Sequence, residues 1–210
     1  MREPVTQVCV YIFQNNDSCS PKQRLAYAVE QYCGAKVNVG SDMEKPTDRL
    51  HVERTQSGKP YFPDCPQLHF SISHSGEYWA CAVADVNVGL DLQEHVLGKN
   101  ETKEEAAARF RRMAHRFFHP LEAEFVELES FEHFFTVWTA REAYVKNTGQ
   151  GIDKYFSEHC VVPRDRKIDC CWTALGKWFR KTEYKMNYSL CICAEEAFLW
   201  NIQECQMVNQ

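Results

Sequence analysis

Two periods alternate along this chain. Residues 7–13 (QVCVYIF) form a β-branched and aromatic run that predicts a strand. Ser20 and Pro21 then supply an N-cap and a first helical position. Leu25, Ala28, Val29 and Tyr32 fall on one face of the helix that follows, which should stop at Gly34. Residues 40–47 read as loop, 50–54 as a short strand, and Ser57 to Pro60 as a turn. A strand over 68–72 leads into a turn at 73–76. Strands over 79–84 (WACAVA) and 88–92 (VGLDL), joined by a turn at 85–87, complete a small antiparallel sheet. Residues 103–119 are helical and amphipathic, with Phe110, Ala114, Phe117 and Phe118 as the apolar stripe. A second long helix over 131–147 ends at Gly149. Period-2 segments return at 160–162, 170–173 and 188–194. The order predicts an α+β fold of two similar halves, residues 1–95 and 96–210, each a small antiparallel sheet with helices.

Composition narrows the classes. Of 210 residues, 44% are hydrophobic and 13% aromatic, which is enough to bury a core and excludes disorder as the main state. No apolar run is long enough to span a membrane. The formal charge is −5, so the chain lacks the basic face a general nucleic-acid binder needs. Eleven cysteines is a high, odd number without a CxxC pair, and the N-terminus does not resemble a signal peptide. These features predict a cytoplasmic protein with reduced, structural thiols. A thiol-based metal or redox protein is the competing reading of the cysteines.

Three acidic groups draw attention. Asp91 sits in GLDLQ, where Asp91 and Gln93 project to one strand face beside Gly89. Trp138, Glu142 and Lys146 lie along one helix stripe, and Glu122 follows Phe117-Phe118-His119-Pro120. Each has an ordinary explanation. Glu142 to Lys146 is a standard helix ion pair, and Glu122 suits a helix N-terminus. Ser73-His74-Ser75 suits a self-bonded turn.

The motifs occur together and in order: Gly58-Lys59-Pro60, Phe70-Ser-Ile-Ser73-His74-Ser75, Val88-Gly-Leu-Asp91-Leu-Gln93, Arg116-Phe-Phe-His-Pro-Leu-Glu122, Trp138-Thr-Ala-Arg-Glu142-Ala-Tyr-Val-Lys146 and Gly149-Gln-Gly151-Ile152. In this combination, from about residue 24 to 194, the chain resembles the Sfp-type 4′-phosphopantetheinyl transferases. The resemblance implies two pseudo-twofold-related halves with a ligand cleft between them. It also implies a reaction, the Mg2+-dependent transfer of the 4′-phosphopantetheine arm of coenzyme A to a serine of an apo acyl or peptidyl carrier protein. Adenosine 3′,5′-bisphosphate is released.

By the same resemblance, Asp91 and Glu142 would hold magnesium, one from each half, so that the ion closes the cleft. Gln93 would be the third ligand where family members carry Glu. Lys146 would meet the pyrophosphate, and Glu122 or Glu142, directly or through a water, would accept the serine proton. Lys59, Ser73 and His74 would contact the coenzyme's phosphates, with Lys22 and Arg24 as further basic contacts. Arg109, Arg112 and Arg116 form a basic helix stripe beside Phe110, Met113 and Phe117, suited to an acidic carrier. Two fused halves make a monomer sufficient. Gln93 and a short N-terminal region leave an alternative, a protein of the same fold that binds coenzyme A or a carrier without turnover.

Overall fold

The computed structural model describes residues 6–15, 19–37, 50–127, 131–151 and 156–206, the side chains of 35–37 and 156 excepted. The expected loop at 40–47 and Ile152 lie outside the described residues. The elements are β1 (Thr6–Gln14), α1 (Pro21–Val37), β2 (Glu53–Arg54), β3 (Pro60–Tyr61), β4 (His69–Ser75), β5 (Tyr78–Ala84), β6 (Val88–Glu94), α2 (Lys103–Phe117), α3 (Pro120–Glu127), α4 (Glu132–Thr148), β7 (Cys171–Ala174), β8 (Lys177–Tyr184), β9 (Tyr188–Ala194) and β10 (Phe198–Cys205).

The strands form two four-stranded sheets, in the orders β10-β1-β5-β4 and β6-β9-β8-β7, and a small β2-β3 ribbon. The two sheets pack face to face through Val8, Val10, Ala80, Ala82, Leu90, Leu92, Leu190 and Ile192. Helix α1 covers the outer face of the first sheet through Leu25, Ala28, Val29 and Tyr32. Helices α2, α3 and α4 cover the outer face of the second through Phe110, Phe134, Phe135 and Val137, packed on Phe179, Cys191 and Cys193. The central strands β1, β5 and β9 are buried on both faces and so are apolar almost throughout. All seven residues of β5 and all seven of β9 are buried.

The two sheets do not follow the order of the chain on either side of residue 95. β6 belongs to the second sheet, antiparallel to β9, and β10 returns to the first sheet, parallel to β1. Each sheet therefore borrows a strand from the other part of the chain. β8 and β10 were not expected from the sequence, although Phe198, Trp200 and Ile202 alternate as a strand requires. The expected strand at 160–162 is irregular. Its Val161 N–H goes to Glu122 Oε1 and its Val161 carbonyl to Trp172 Nε1, so no ladder is left to form. Helix α1 passes through Gly34, since one glycine costs a helix only about 1 kcal/mol. Gly149 does end α4, in the left-handed region at φ 72°, with its N–H bonded to the Val145 carbonyl.

Strand β4 runs on through Ser75, and the turn reduces to Gly76 and Glu77. That extension joins the sheets. Ser71, Ser73 and Ser75 share one face of β4, and their hydroxyls accept the N–H groups of Leu90 (2.9 Å), Leu92 (3.2 Å) and Glu94 (2.9 Å). Side-chain oxygens thus satisfy the outer edge of β6 where a neighbouring strand would normally offer carbonyls.

Gly89 makes the other decisive contact. A Cβ there would overlap the Ala143 carbonyl and the Asn147 backbone nitrogen of α4. Gly89→Ala should therefore push the helix off the strand and lower stability by about 3 kcal/mol. Gly34 has open space around it and lies within a helix, so Gly34→Ala should raise stability by about 0.5–1 kcal/mol. Urea unfolding of both variants checks the pair, and an unaffected Gly89→Ala protein would contradict the packing described.

Candidate active site

The close approach at Gly89 lays α4 along β6, which carries Asp91 past Glu142 and Lys146. Asp91 is 5% exposed. Its Oδ1 accepts from Lys146 Nζ at 2.7 Å and from the Ser73 hydroxyl at 2.8 Å. Its Oδ2 is buried and has no hydrogen-bond partner among the described residues. Burial pushes the Asp91 pKa up, and the Lys146 ammonium pulls it back. Glu142 is half-buried, and its pKa is raised first by burial and then by the negative charge of Asp91.

Two carboxylates, one raised in proton affinity by the charge of the other and the other with an orphaned oxygen, fit a hard divalent cation. Among the described residues, no group of three or more His, Cys, Asp and Glu side chains gathers to hold a metal. Any ion here would rest on Asp91 and Glu142, with waters and phosphate oxygens filling the remaining positions, as magnesium tolerates. The amide nitrogen of Gln93 donates to the Glu94 carbonyl, and the side chain lines a separate groove of about 210 Å³ with Trp138 and Met113. Both carboxylates belong to the second lobe, because β6 and α4 pack on the same sheet. The expected grip by one acid from each half is not what the structure shows. The first lobe contributes Ser73 instead.

Beside this cluster, at the junction of the two sheets, lies a cavity of about 450 Å³. Lys146, Ser71, Lys59, Pro60 and Gly149 line it, with Phe70 and Ile72 as an apolar wall. Arg54 lines it too, its Nη1 bonded to the Gly58 carbonyl at 2.7 Å, and was not singled out from the sequence. A cation four residues before the glycine of a Gly-Lys-Pro turn was the available signal. Lys59 is a strut: its Nζ donates to the Asn147 carbonyl at 2.6 Å and to Asn87 Oδ1. Burial lowers its pKa to about 8.

His74 is exposed on the same face of β4 as Phe70 and Ile72. Lys22 is exposed in the first turn of α1. Arg24 is 4% exposed, with its guanidinium bonded to Asn15 Oδ1 and the Gln14 carbonyl, so protein groups occupy it. Asn147, also absent from the sequence reading, is fully buried and donates to the Asn87 and Cys193 carbonyls, pinning the last turn of α4 to β6 and β9.

Glu122 stands apart from this cluster. It is 0% exposed, pairs with Arg141, and accepts the N–H groups of His119 (3.0 Å) and Val161 (2.8 Å). Its oxygens tie α3, α4 and the 160–162 segment together, so these partners occupy the carboxylate. On α2, Arg109 is committed to Glu101 by two bonds of 2.8 Å, while Arg112 and Arg116 are exposed. Phe110 is buried at 4% and Phe117 is 43% exposed, so the apolar part of this face is smaller than its spacing suggested.

Comparison with known proteins agrees with the α+β architecture. A model of the 4′-phosphopantetheinyl transferase superfamily matches residues 87–193, just over half of the chain. The chain is 32% identical over 154 residues to the 4′-phosphopantetheinyl transferase Sfp of Bacillus subtilis (strain 168), covering 69% of this chain and 63% of that protein. It is 31% identical over 112 residues to another B. subtilis 4′-phosphopantetheinyl transferase, covering 51% and 45%. It is also 26% identical over 187 residues to the L-aminoadipate-semialdehyde dehydrogenase-phosphopantetheinyl transferase of Xenopus laevis, covering 82% and 55%. The chain belongs to the 4′-phosphopantetheinyl transferase superfamily and is of the Sfp type. It spans roughly half the length of the curated relatives it matches.

Replacing Glu122 by Gln would leave the Arg141 guanidinium buried without a counter-charge, at a cost of about 3–5 kcal/mol. Calorimetric or urea unfolding of Glu122→Gln should show that loss, with divalent-cation affinity retained in the folded fraction. A variant as stable as the parent but catalytically dead would return Glu122 to the chemistry.

Proposed function

We propose that this protein transfers the 4′-phosphopantetheine arm of coenzyme A to a serine hydroxyl of an apo carrier protein. The observation that carries this reading is the Asp91–Glu142–Lys146 cluster, with the orphaned Asp91 oxygen, beside a cavity large enough for much of a nucleotide. The carrier serine oxygen attacks the β-phosphorus of the pyrophosphate, the bridging bond to the α-phosphate breaks, and adenosine 3′,5′-bisphosphate leaves with the electron pair. Asp91 and Glu142 would hold magnesium, which would supply positive charge to the pyrophosphate oxygens.

The chain's own groups do the rest. Lys146 places an ammonium where charge develops, and the work is positioning plus electrostatics. Glu142 accepts the serine proton, directly or through a water. Arg54 and His74 are side chains available to the coenzyme's phosphates, with Lys59 stiffening the turn beside Arg54. The acidic carrier docks on the exposed Arg112 and Arg116 of α2, next to Phe117, steered by charge and held by apolar contact. A monomer suffices, since one chain supplies every group named. A cysteine-rich chain without a CxxC pair suits a cytoplasmic setting with reduced thiols.

Mass spectrometry of apo-carriers incubated with the protein, coenzyme A and Mg2+ tests this reading directly, and a gain of one phosphopantetheine arm is expected. Coenzyme A or carrier binding without any mass gain would favour a non-catalytic binding protein. Asp91→Ala should abolish transfer and Glu142→Gln nearly so, each by at least about 100-fold. Lys146→Ala should lower kcat more than coenzyme A affinity. Arg112→Glu with Arg116→Glu should raise the carrier KM by about tenfold with coenzyme A affinity unchanged, and equal loss for both ligands would remove the docking face.

A further inference from the structure

The family resemblance offers Ser73 to the coenzyme's phosphates, and its hydroxyl does something else. A serine hydroxyl has one hydrogen to donate and two lone pairs to accept with. Here all three are spoken for. The hydrogen goes to Asp91 Oδ1 at 2.8 Å, a shorter and charge-assisted alternative to the Leu92 carbonyl at 3.5 Å. The lone pairs receive the Leu92 N–H at 3.2 Å and Lys146 Nζ at 3.1 Å. Ser73 is also 5% exposed and points away from the β4 face that carries His74. A phosphate could reach it only by displacing one of these partners.

We infer that Ser73 is a positioning residue for the cation-binding carboxylate. Its hydroxyl is held from behind by the β6 backbone and holds Asp91 by Oδ1, so the carboxylate cannot rotate and Oδ2 is the oxygen left over. The same oxygen accepts from Lys146, which sets the ammonium beside the carboxylate without letting it bridge both oxygens. Ser71 and Ser75 accept the neighbouring N–H groups of β6 in the same way, yet no bond joins either of them to Asp91 among the described contacts. They are built-in controls for the mechanical part of the stitch. The inference rests on the cation reading of Asp91 and Glu142 given above.

Mn2+ affinity, read from the free-ion EPR signal with and without coenzyme A and in the absence of any carrier, separates the possibilities. Ser73→Ala should weaken Mn2+ binding by about 10–100-fold, the usual effect of removing a group that orients a ligand. Ser75→Ala, which loses an equivalent N–H acceptor, should stay within about threefold of the parent, because it does not touch the ligand. Ser73→Thr keeps the hydroxyl and should recover most of the affinity. Should Ser73→Ala fail to fold, Ser73→Cys keeps the volume with a poor hydrogen-bonding group and carries the same expectation. Unchanged Mn2+ affinity in Ser73→Ala, with weakened coenzyme A binding, would overturn the inference and make Ser73 a phosphate contact. Equal losses in Ser73→Ala and Ser75→Ala would overturn it in favour of a purely mechanical stitch. If the parent protein binds no Mn2+ under either condition, the cation reading itself falls, and the inference with it.

Discussion

At Gly89 the backbone of β6 touches the backbone of α4, with no side chain between them. The rest of the site follows from that contact. Helix packing distances are set by the side chains at the crossing, so removing the side chain lets the axes approach. Asn147 locks the arrangement through the Asn87 and Cys193 carbonyls, and Lys59 reaches across from the β3 side to the carbonyl of the same residue. With the helix so placed, Lys146 meets Asp91 at 2.7 Å and the Glu142 carboxylate lies within range of its charge. A larger residue at 89 would leave the same side chains on the same elements without bringing them together.

The second organising feature is electrostatic. An aspartate on a buried strand is costly, and the fold keeps it by giving Oδ1 a hydroxyl and an ammonium while leaving Oδ2 bare. That imbalance is what a cation site looks like before its ion arrives. Glu122 shows the contrast within one molecule. It is a carboxylate of similar burial, whose oxygens are matched by Arg141 and two backbone N–H groups. The same residue class is thus structural at one place and chemically poised at another, and the partner set decides which.

Much of this was legible in the sequence. The apolar runs at β1, β5, β6 and β9 and the helical periods of α2 and α4 gave the two-lobed plan, because the hydrophobic pattern alone determines which faces are buried. Asp91, Glu142 and Lys146 stood out because a charge on an otherwise buried element needs a reason. What escaped the reading was long-range. The return of Phe198–Cys205 to pair with β1 is a tertiary choice. Ser73-His74-Ser75 looked like a turn because serines often bond their own backbone, and the partners of Ser73 and Ser75 lie nineteen residues away on β6. Glu122 and Arg24 looked available because sequence spacing says nothing about who else is bonded to them.

The central claim is that Asp91 and Glu142, both in the second lobe, share one divalent cation at the edge of the inter-lobe cavity. Anomalous diffraction from crystals of the protein grown with Mn2+ and coenzyme A locates the ion directly. A single peak within about 2.3 Å of both Asp91 Oδ2 and a Glu142 carboxylate oxygen is the expected result. A peak bound by only one of these acids, or placed in the groove beside Gln93 and Trp138, would contradict the account.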